Sequence, residues 1–188
     1  MSNAVTAING ASTKGIITVS DPGLTGMITL RGNLSSPKIA AAVKSVTGTK
    51  MPTQRGVVMG KKGAVTWMSP DELFLLCDYA DADAMVAKLD KALKGTHSMA
   101  VNVSDARQVF HLAGKGIRNV LAKGVPADMR PASLPKGEMR RTRLGQLPVA
   151  LWLTSEEEAY LICFRSVGNY IAQWFETTTA KEAEIKFF

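Results

Sequence analysis

The chain has 188 residues, 46% hydrophobic and 21% charged, with two cysteines, two histidines and a formal net charge of +7. That is the make-up of a globular protein large enough to bury a core without a metal or disulfide staple. It excludes a disulfide-rich scaffold and a disordered chain, and no run approaches the roughly 18 consecutive apolar residues of a membrane span.

Residues 1–25 read as a flexible arm, small and polar, punctuated by Gly10, Gly15, Pro22 and Gly23. Its one candidate strand is Gly15-Ile16-Ile17-Thr18-Val19. The arm lacks the apolar segment of a secretory leader, so a cytoplasmic location is expected. Residues 26–188 are expected to form a single α+β domain.

Met27–Arg31 is the first convincing strand, and Ser35-Ser36-Pro37 then marks a helix start, with a hydroxyl to cap and proline at the first turn. Ile39, Val43 and Val46 give that helix one apolar stripe, and Gly48 stops it. Residues 48–62 form a loop with one short strand at Val57–Met59. Ala64–Met68 and Leu73–Asp78 flank a Ser-Pro-Asp-Glu turn and make a β-hairpin. Asp81 caps a second helix whose Met85, Leu89 and Leu93 face the core, and Met99–Val103 is the next strand. The order β–α–β–β–α–β is the ferredoxin-like plan, an antiparallel sheet with both helices on one face.

Beyond it, the apolar content of Ala106–Leu112 and Ile117–Ala122 predicts two short helices, and the proline-rich stretch 125–137 an irregular connection. Three antiparallel strands follow at 138–144, 147–153 and 159–164. A last helix carries Val167, Tyr170, Ile171 and Trp174 along one stripe. No internal sequence repeat stands out; the second half is at most a degraded copy of the first unit.

The inventory of chemistry-bearing groups is thin. Cys77 and Cys163 sit in apolar runs and read as small buried hydrophobes. His111 lies beside Phe110 and Leu112 as a packed or rim residue, and His97 falls in a loop. No group has metal-ligand spacing, and no glycine-rich phosphate fingerprint or nucleophile elbow is present. Gly114-Lys115-Gly116 reads as a turn, Ser166 as a helix cap, and Glu156-Glu157-Glu158 as a solvated hairpin tip or a contact for a basic partner. Asp105 and Arg107 suit an ion pair at a helix start. No catalytic, cofactor-binding or metal-binding residue is therefore assigned. The densest basic stretch supplies the candidate partner-interface residues Arg130, Arg140, Arg141 and Arg143. With aromatic residues at 6%, they suit a protein surface at least as well as a nucleic acid, which is not expected as a partner.

Three stretches together resemble the gamma subunit of heterotetrameric sarcosine oxidase. They are Trp67-Met68-Ser69-Pro70-Asp71-Glu72-Leu73-Phe74-Leu75; Val101-Asn102-Val103-Ser104-Asp105-Ala106-Arg107, continuing through Leu112-Ala113-Gly114 to Val120-Leu121-Ala122-Lys123-Gly124; and Arg141-Thr142-Arg143-Leu144-Gly145-Gln146-Leu147-Pro148, with Arg165-Ser166 opening a helix through Tyr170 to Trp174. The chain departs from the family pattern at Met68, Ser69 and Phe74. The resemblance implies the fold of the folate-binding domain of aminomethyltransferases. It further implies a structural subunit with no active site of its own. Its partners would be alpha, beta and delta subunits carrying FAD, FMN, NAD, tetrahydrofolate and zinc. The alternative reading is a free-standing folate-binding protein on the same fold, although neither cysteine has the Lys-Gly-Cys-Tyr-x-Gly-Gln context of folate-dependent maintenance proteins.

Overall fold

The computed structural model describes residues 3–187. In chain order, β1 (Ser12–Lys14), β2 (Thr18–Ser20) and β3 (Thr25–Gly32) lead into helix α1 (Pro37–Thr47). Then come β4 (Val57–Gly60), β5 (Gly63–Ser69), β6 (Glu72–Asp78), α2 (Ala82–Ala92) and β7 (Ser98–Asn102). The chain continues through β8 (Arg107–Ala113), α3 (Ile117–Ala122), β9 (Met139–Leu144), β10 (Leu147–Ser155), β11 (Glu158–Phe164) and α4 (Gly168–Thr179). These elements divide into two compact units: an inner one, Leu24–Ser104, and an outer one made of the flanking residues up to Gly23 and from Asp105 onward. No helix among the described residues is long and apolar enough to cross a membrane.

The inner unit is the expected ferredoxin-like arrangement, with sheet order β4-β5-β6-β3-β7 and every pairing antiparallel. Alternation along the strands sends Ile28, Leu30, Val65, Leu73, Leu75 and Cys77 to one face. There they meet Ile39, Val43 and Val46 of α1 and Met85 and Leu89 of α2, the stripes legible at helical spacing. The helix starts differ from expectation. Neither Ser36 nor Asp81 makes a side-chain cap bond. Asn33 orders the approach to α1 instead, its Oδ1 accepting from the Ser35 amide at 3.0 Å and its carbonyl from the Ser36 amide at 2.9 Å. A 3-10 turn at Tyr79–Asp81 feeds α2 directly, and another at Arg165–Val167 feeds α4, so Ser166 is no cap either.

The outer unit corrects two sequence-based expectations. Residues 107–113 form the strand β8, not a helix, in a sheet ordered β1-β2-β8-β11-β10-β9. β8 is flanked by strands on both sides and buries Gln108, Val109, Phe110 and Leu112, so its apolar run carries neither a helical nor an alternating signature. The partner on one side is β2, from the segment read as a loose arm. That segment is fastened at several points. The Asp21 carboxylate accepts from the Thr6 hydroxyl, from the amides of Gly10 and Gly23 at 3.0 Å each, and from Gln108 Nε2 at 3.3 Å. Burial works to raise the Asp21 carboxyl, but these hydrogen bonds outweigh it and hold the group below its ordinary value. The Gln108 side chain also accepts the Ala7 amide, and the Thr179 carbonyl at the end of α4 takes the Ile16 amide at 2.7 Å. Ile17 and Val19 join the outer core with Phe110, Leu112, Leu151, Leu161, Ile171 and Phe175.

The two units are copies of one plan. The series β8-α3-β9-β10-β11-α4 repeats β3-α1-β4-β5-β6-α2, and β2 takes beside β8 the place that β7 takes beside β3. The last strand of the second copy thus comes from the N-terminal segment, a circular permutation. Its trace in sequence is Ser69-x-x-Glu72-x-Phe74-Leu75-Leu76-Cys77 against Ser155-x-x-Glu158-x-Tyr160-Leu161-Ile162-Cys163. In both hairpins the register slips just before that serine, between Trp67 and Ser69 and between Leu153 and Ser155.

Candidate subunit-interface site

The four arginines occupy three different settings. Arg130 is exposed in the loop before β9 and is gripped by Asp128, with Nε at 3.0 and 2.9 Å from the two carboxylate oxygens and Nη2 at 2.7 Å. The guanidinium, with help from the Ser133 hydroxyl, holds the Asp128 carboxyl well below the usual carboxylate range. Arg140 stands opposite Leu151 on β10, on the sheet face that bears the core. It donates to the Ser133 carbonyl and approaches Glu138 at 3.7 Å, with a side chain only 20% exposed. Arg141 and Arg143 stand opposite Ala150 and Pro148, share the other face of β9, and are exposed. The structure therefore joins Arg141 with Arg143 on the edge strand of the outer sheet. Arg130 and Arg140 are spent on the loop that leads to it.

That loop is organised by a residue not singled out in the sequence. Arg118 on α3 is buried, donates through Nη1 to the carbonyls of Met129 and Leu134 at 2.7 and 3.0 Å, and pairs through Nε with Glu156 at 3.0 Å. It thereby fixes Met129 and Leu134, both core residues, on either side of Arg130. Glu156 is thus not purely solvated, and the neighbouring Glu158 is engaged as well.

Glu158 takes part in a polar and aromatic cluster of the outer unit. His111 Nε2 lies 3.0 Å from one Glu158 oxygen, and the Thr154 hydroxyl donates to the other at 2.6 Å. These contacts, Thr154 first, hold the Glu158 carboxyl below its ordinary value. The His111 ring packs on Tyr160 with centroids 5.0 Å apart, and Tyr160 stacks on Trp152 at 5.4 Å. Arg107 lays its guanidinium over the Phe164 ring, 4.0 Å from the centroid. His97 lines an open cavity of about 640 Å³ at the start of β7, together with Arg31, Asn33 and Asp71. Among the described residues, no group of three or more His, Cys, Asp or Glu side chains is placed to hold a metal ion.

Both thiols are buried as expected, and burial pushes Cys77 up to about 11 and Cys163 up to about 12. Native chain at pH 8 should therefore resist iodoacetamide, with both cysteines modified only after unfolding. Fast labelling of Cys163 in folded protein would contradict that burial.

The chain shares the fold of glycine cleavage system aminomethyltransferase T from Bartonella henselae, with a TM-score of 0.66 at 13% identity, over 90% of this chain and 48% of that one. It is closer to a chain of heterotetrameric sarcosine oxidase from Corynebacterium sp. U-96, solved with pyrrole 2-carboxylate. There the TM-score is 0.81 at 25% identity, covering 94% of this chain and 91% of that one. A family model described as sarcosine oxidase, gamma subunit family, matches residues 31–181. The gamma subunit of sarcosine oxidase from Corynebacterium sp. strain P-1 is 29% identical over 170 residues, 89% of this chain and 82% of the relative. Its counterpart from Arthrobacter sp. is 32% identical over 124 residues, 65% of this chain and 60% of the relative. The chain belongs to the sarcosine oxidase gamma subunit family.

Proposed function

We propose that this chain is the gamma subunit of a heterotetrameric sarcosine oxidase and serves assembly without performing chemistry itself. The complex oxidatively demethylates sarcosine: with oxygen and water it yields glycine, formaldehyde and hydrogen peroxide, or with tetrahydrofolate the carbon leaves as 5,10-methylene-tetrahydrofolate. FAD, FMN, NAD, tetrahydrofolate and zinc belong to the alpha, beta and delta partners, in the cytoplasm. The observation that carries this reading is the family match over residues 31–181 together with a fold that covers 91% of the matched chain from a heterotetrameric enzyme. The burial of both thiols supports it. Coexpression with the three partner subunits, followed by affinity capture of any one of them, should recover this chain; a flavin-bearing complex that purifies without it would refute the assembly role.

Arg141 and Arg143 are the cations of the original group that share an exposed face, so they are assigned to an acidic surface of a partner. Reversing both to glutamate should weaken capture by roughly tenfold at low salt and by less at high salt, since exposed charges are screened. Equal capture at both ionic strengths would remove these residues from the interface. The Arg140→Glu variant is a poor probe, because Arg140 also holds the Ser133 carbonyl.

A further inference from the structure

The two copies of the plan differ at one place in their sheets. In the outer sheet, β2 carries a further antiparallel strand, β1, in the register Ser12↔Ser20, Thr13↔Val19 and Lys14↔Thr18. In the inner sheet the counterpart of β2 is β7, and it is the terminal strand.

Exposed sheet edges are normally blunted by charge, shortness, proline or a bulge, because their unpaired peptide groups template further pairing. Three of the four terminal strands here follow that rule. β1 is three residues long and ends in Lys14, β4 runs into Lys61 and Lys62, and β9 carries Arg140, Arg141 and Arg143. β7 breaks it. Ser98-Met99-Ala100-Val101-Asn102 has no charged residue and no proline, and its register with β3 runs without a slip. Met99 and Val101 are 49% and 40% exposed and stand on one face, opposite Arg31 and Thr29.

The ladder also shows which peptide groups are turned outward. The Val103 amide donates to the Met27 carbonyl at 2.8 Å. Bonded pairs alternate along an antiparallel ladder, so Val101 and Met99 also turn their peptide groups toward β3. Ser98, Ala100 and Asn102 turn theirs to the outside, three donors and three acceptors in a row.

We propose that β7 accepts an extended strand from a different, acidic polypeptide of the assembled complex, seated on β7 as β1 is seated on β2. The proposal rests on the reading of this chain as a subunit. The internal repeat supplies the form of the occupant, an antiparallel strand. The exposed side chains supply its pattern, apolar residues at alternate positions against Met99 and Val101. Net charge selects its source: self-pairing of β7 would bring together two chains of +7 each, whereas an acidic partner is drawn in. The cavity of about 640 Å³ beside Ser98 and Met99, with Arg31 and Asp71 in its wall, receives the segment that continues from that strand.

The test uses the full chain coexpressed with the alpha, beta and delta subunits. Val101→Lys places a charge on the exposed face of the edge, and Ala100→Pro removes an outward amide while leaving the bonds to β3 in place. Met59→Lys, at the 61% exposed position on β4, is the control. Val101→Lys should reduce recovery in the complex by about tenfold or more and Met59→Lys by less than about twofold, with melting of the isolated chain reporting on folding. In wild type, the amides of Ala100 and Asn102 should exchange about a hundredfold more slowly in the complex than in the chain alone. If Ala100→Pro does not fold, the lysine variant and the exchange rates decide. Unimpaired assembly of Val101→Lys with unprotected Ala100 and Asn102 would overturn the proposal and leave the subunit reading standing. Failure of the wild-type chain to assemble would remove the subunit reading itself. A purified wild-type chain that dimerises, and that Val101→Lys makes monomeric, would overturn the choice of occupant in favour of a second copy.

Discussion

Replacing Arg118 by methionine is expected to lower the unfolding free energy by roughly 2–4 kcal/mol, because two buried carbonyls lose their donor and a loop loses its anchor. Arg118 is 7% exposed, and its Nη1 is shared between Met129 and Leu134. Methionine keeps an unbranched apolar stem and removes the donors, so the loss measures the hydrogen bonds more than the packing. Glu156 contributes little of it: its carboxylate is 51% exposed, and a pair with one end in water is worth at most about 1 kcal/mol. Glu156→Gln is therefore the near-silent companion. The pH dependence has a definite sign. The Arg118 hydrogen bond holds the Glu156 carboxyl below its ordinary value, so its contribution is present above the usual carboxylate range and is lost as pH falls through the folded-state value. Arg118→Met should erase that acid-side loss. Denaturant unfolding of the two variants at neutral and acidic pH reads both effects, and an Arg118→Met cost under about 1 kcal/mol would show that the loop holds itself.

The second large effect is expected at Gly63, which opens β5 after the turn Lys61-Lys62. Its φ is +129°, and a Cβ there would lie 1.8 Å from the Leu76 carbonyl oxygen and 3.1 Å from Cys77 Cα. Alanine must both leave its preferred backbone region and displace the backbone of β6, at a cost of about 3 kcal/mol or more. Gly145 separates the two causes. Its φ is +58° with nothing within 4 Å of a built Cβ, so Gly145→Ala should cost only about 1–2 kcal/mol for the left-handed backbone. Equal losses at both positions would mean that the contact with Leu76 is relieved cheaply.

The inner unit was readable because each of its elements carries a local signal. Ile39, Val43 and Val46 fall on one helical stripe, and Ser69-Pro70-Asp71 separates two apolar runs. The outer unit hides its plan for reasons that are equally physical. Strand β8 takes one neighbour, β2, from more than eighty residues upstream, and no local pattern in Gln108-Val109-Phe110 announces a partner that distant. The candidate strand Gly15-Ile16-Ile17-Thr18-Val19 has no visible partner in the polar arm until the pairing of Thr18–Ser20 with β8 brings Ile17 and Val19 into the core. The repeat escapes detection because the second copy is permuted and its shared residues shrink to one hairpin, from Ser69 to Cys77 and from Ser155 to Cys163. At the candidate site, the density of arginine was visible, but charge density does not reveal partners. Asp128 neutralises Arg130 two residues away, and the two-residue period of β9 sends Arg140 to one face and Arg141 with Arg143 to the other. Arg118 gave no signal at all, since a lone cation on a short helix reads as solvent-facing. Only the returning loop places two carbonyls over it.

Native mass spectrometry of the coexpressed, catalytically competent complex separates a cofactor-free assembly subunit from a cofactor carrier. A single copy of this chain is expected in each complex, released on activation at the mass of the bare polypeptide while flavin, nucleotide and zinc stay with the other subunits. A competent complex that lacks the chain, or a released chain that carries the added mass of a flavin, a nucleotide, a folate or a metal ion, would contradict a cofactor-free assembly role.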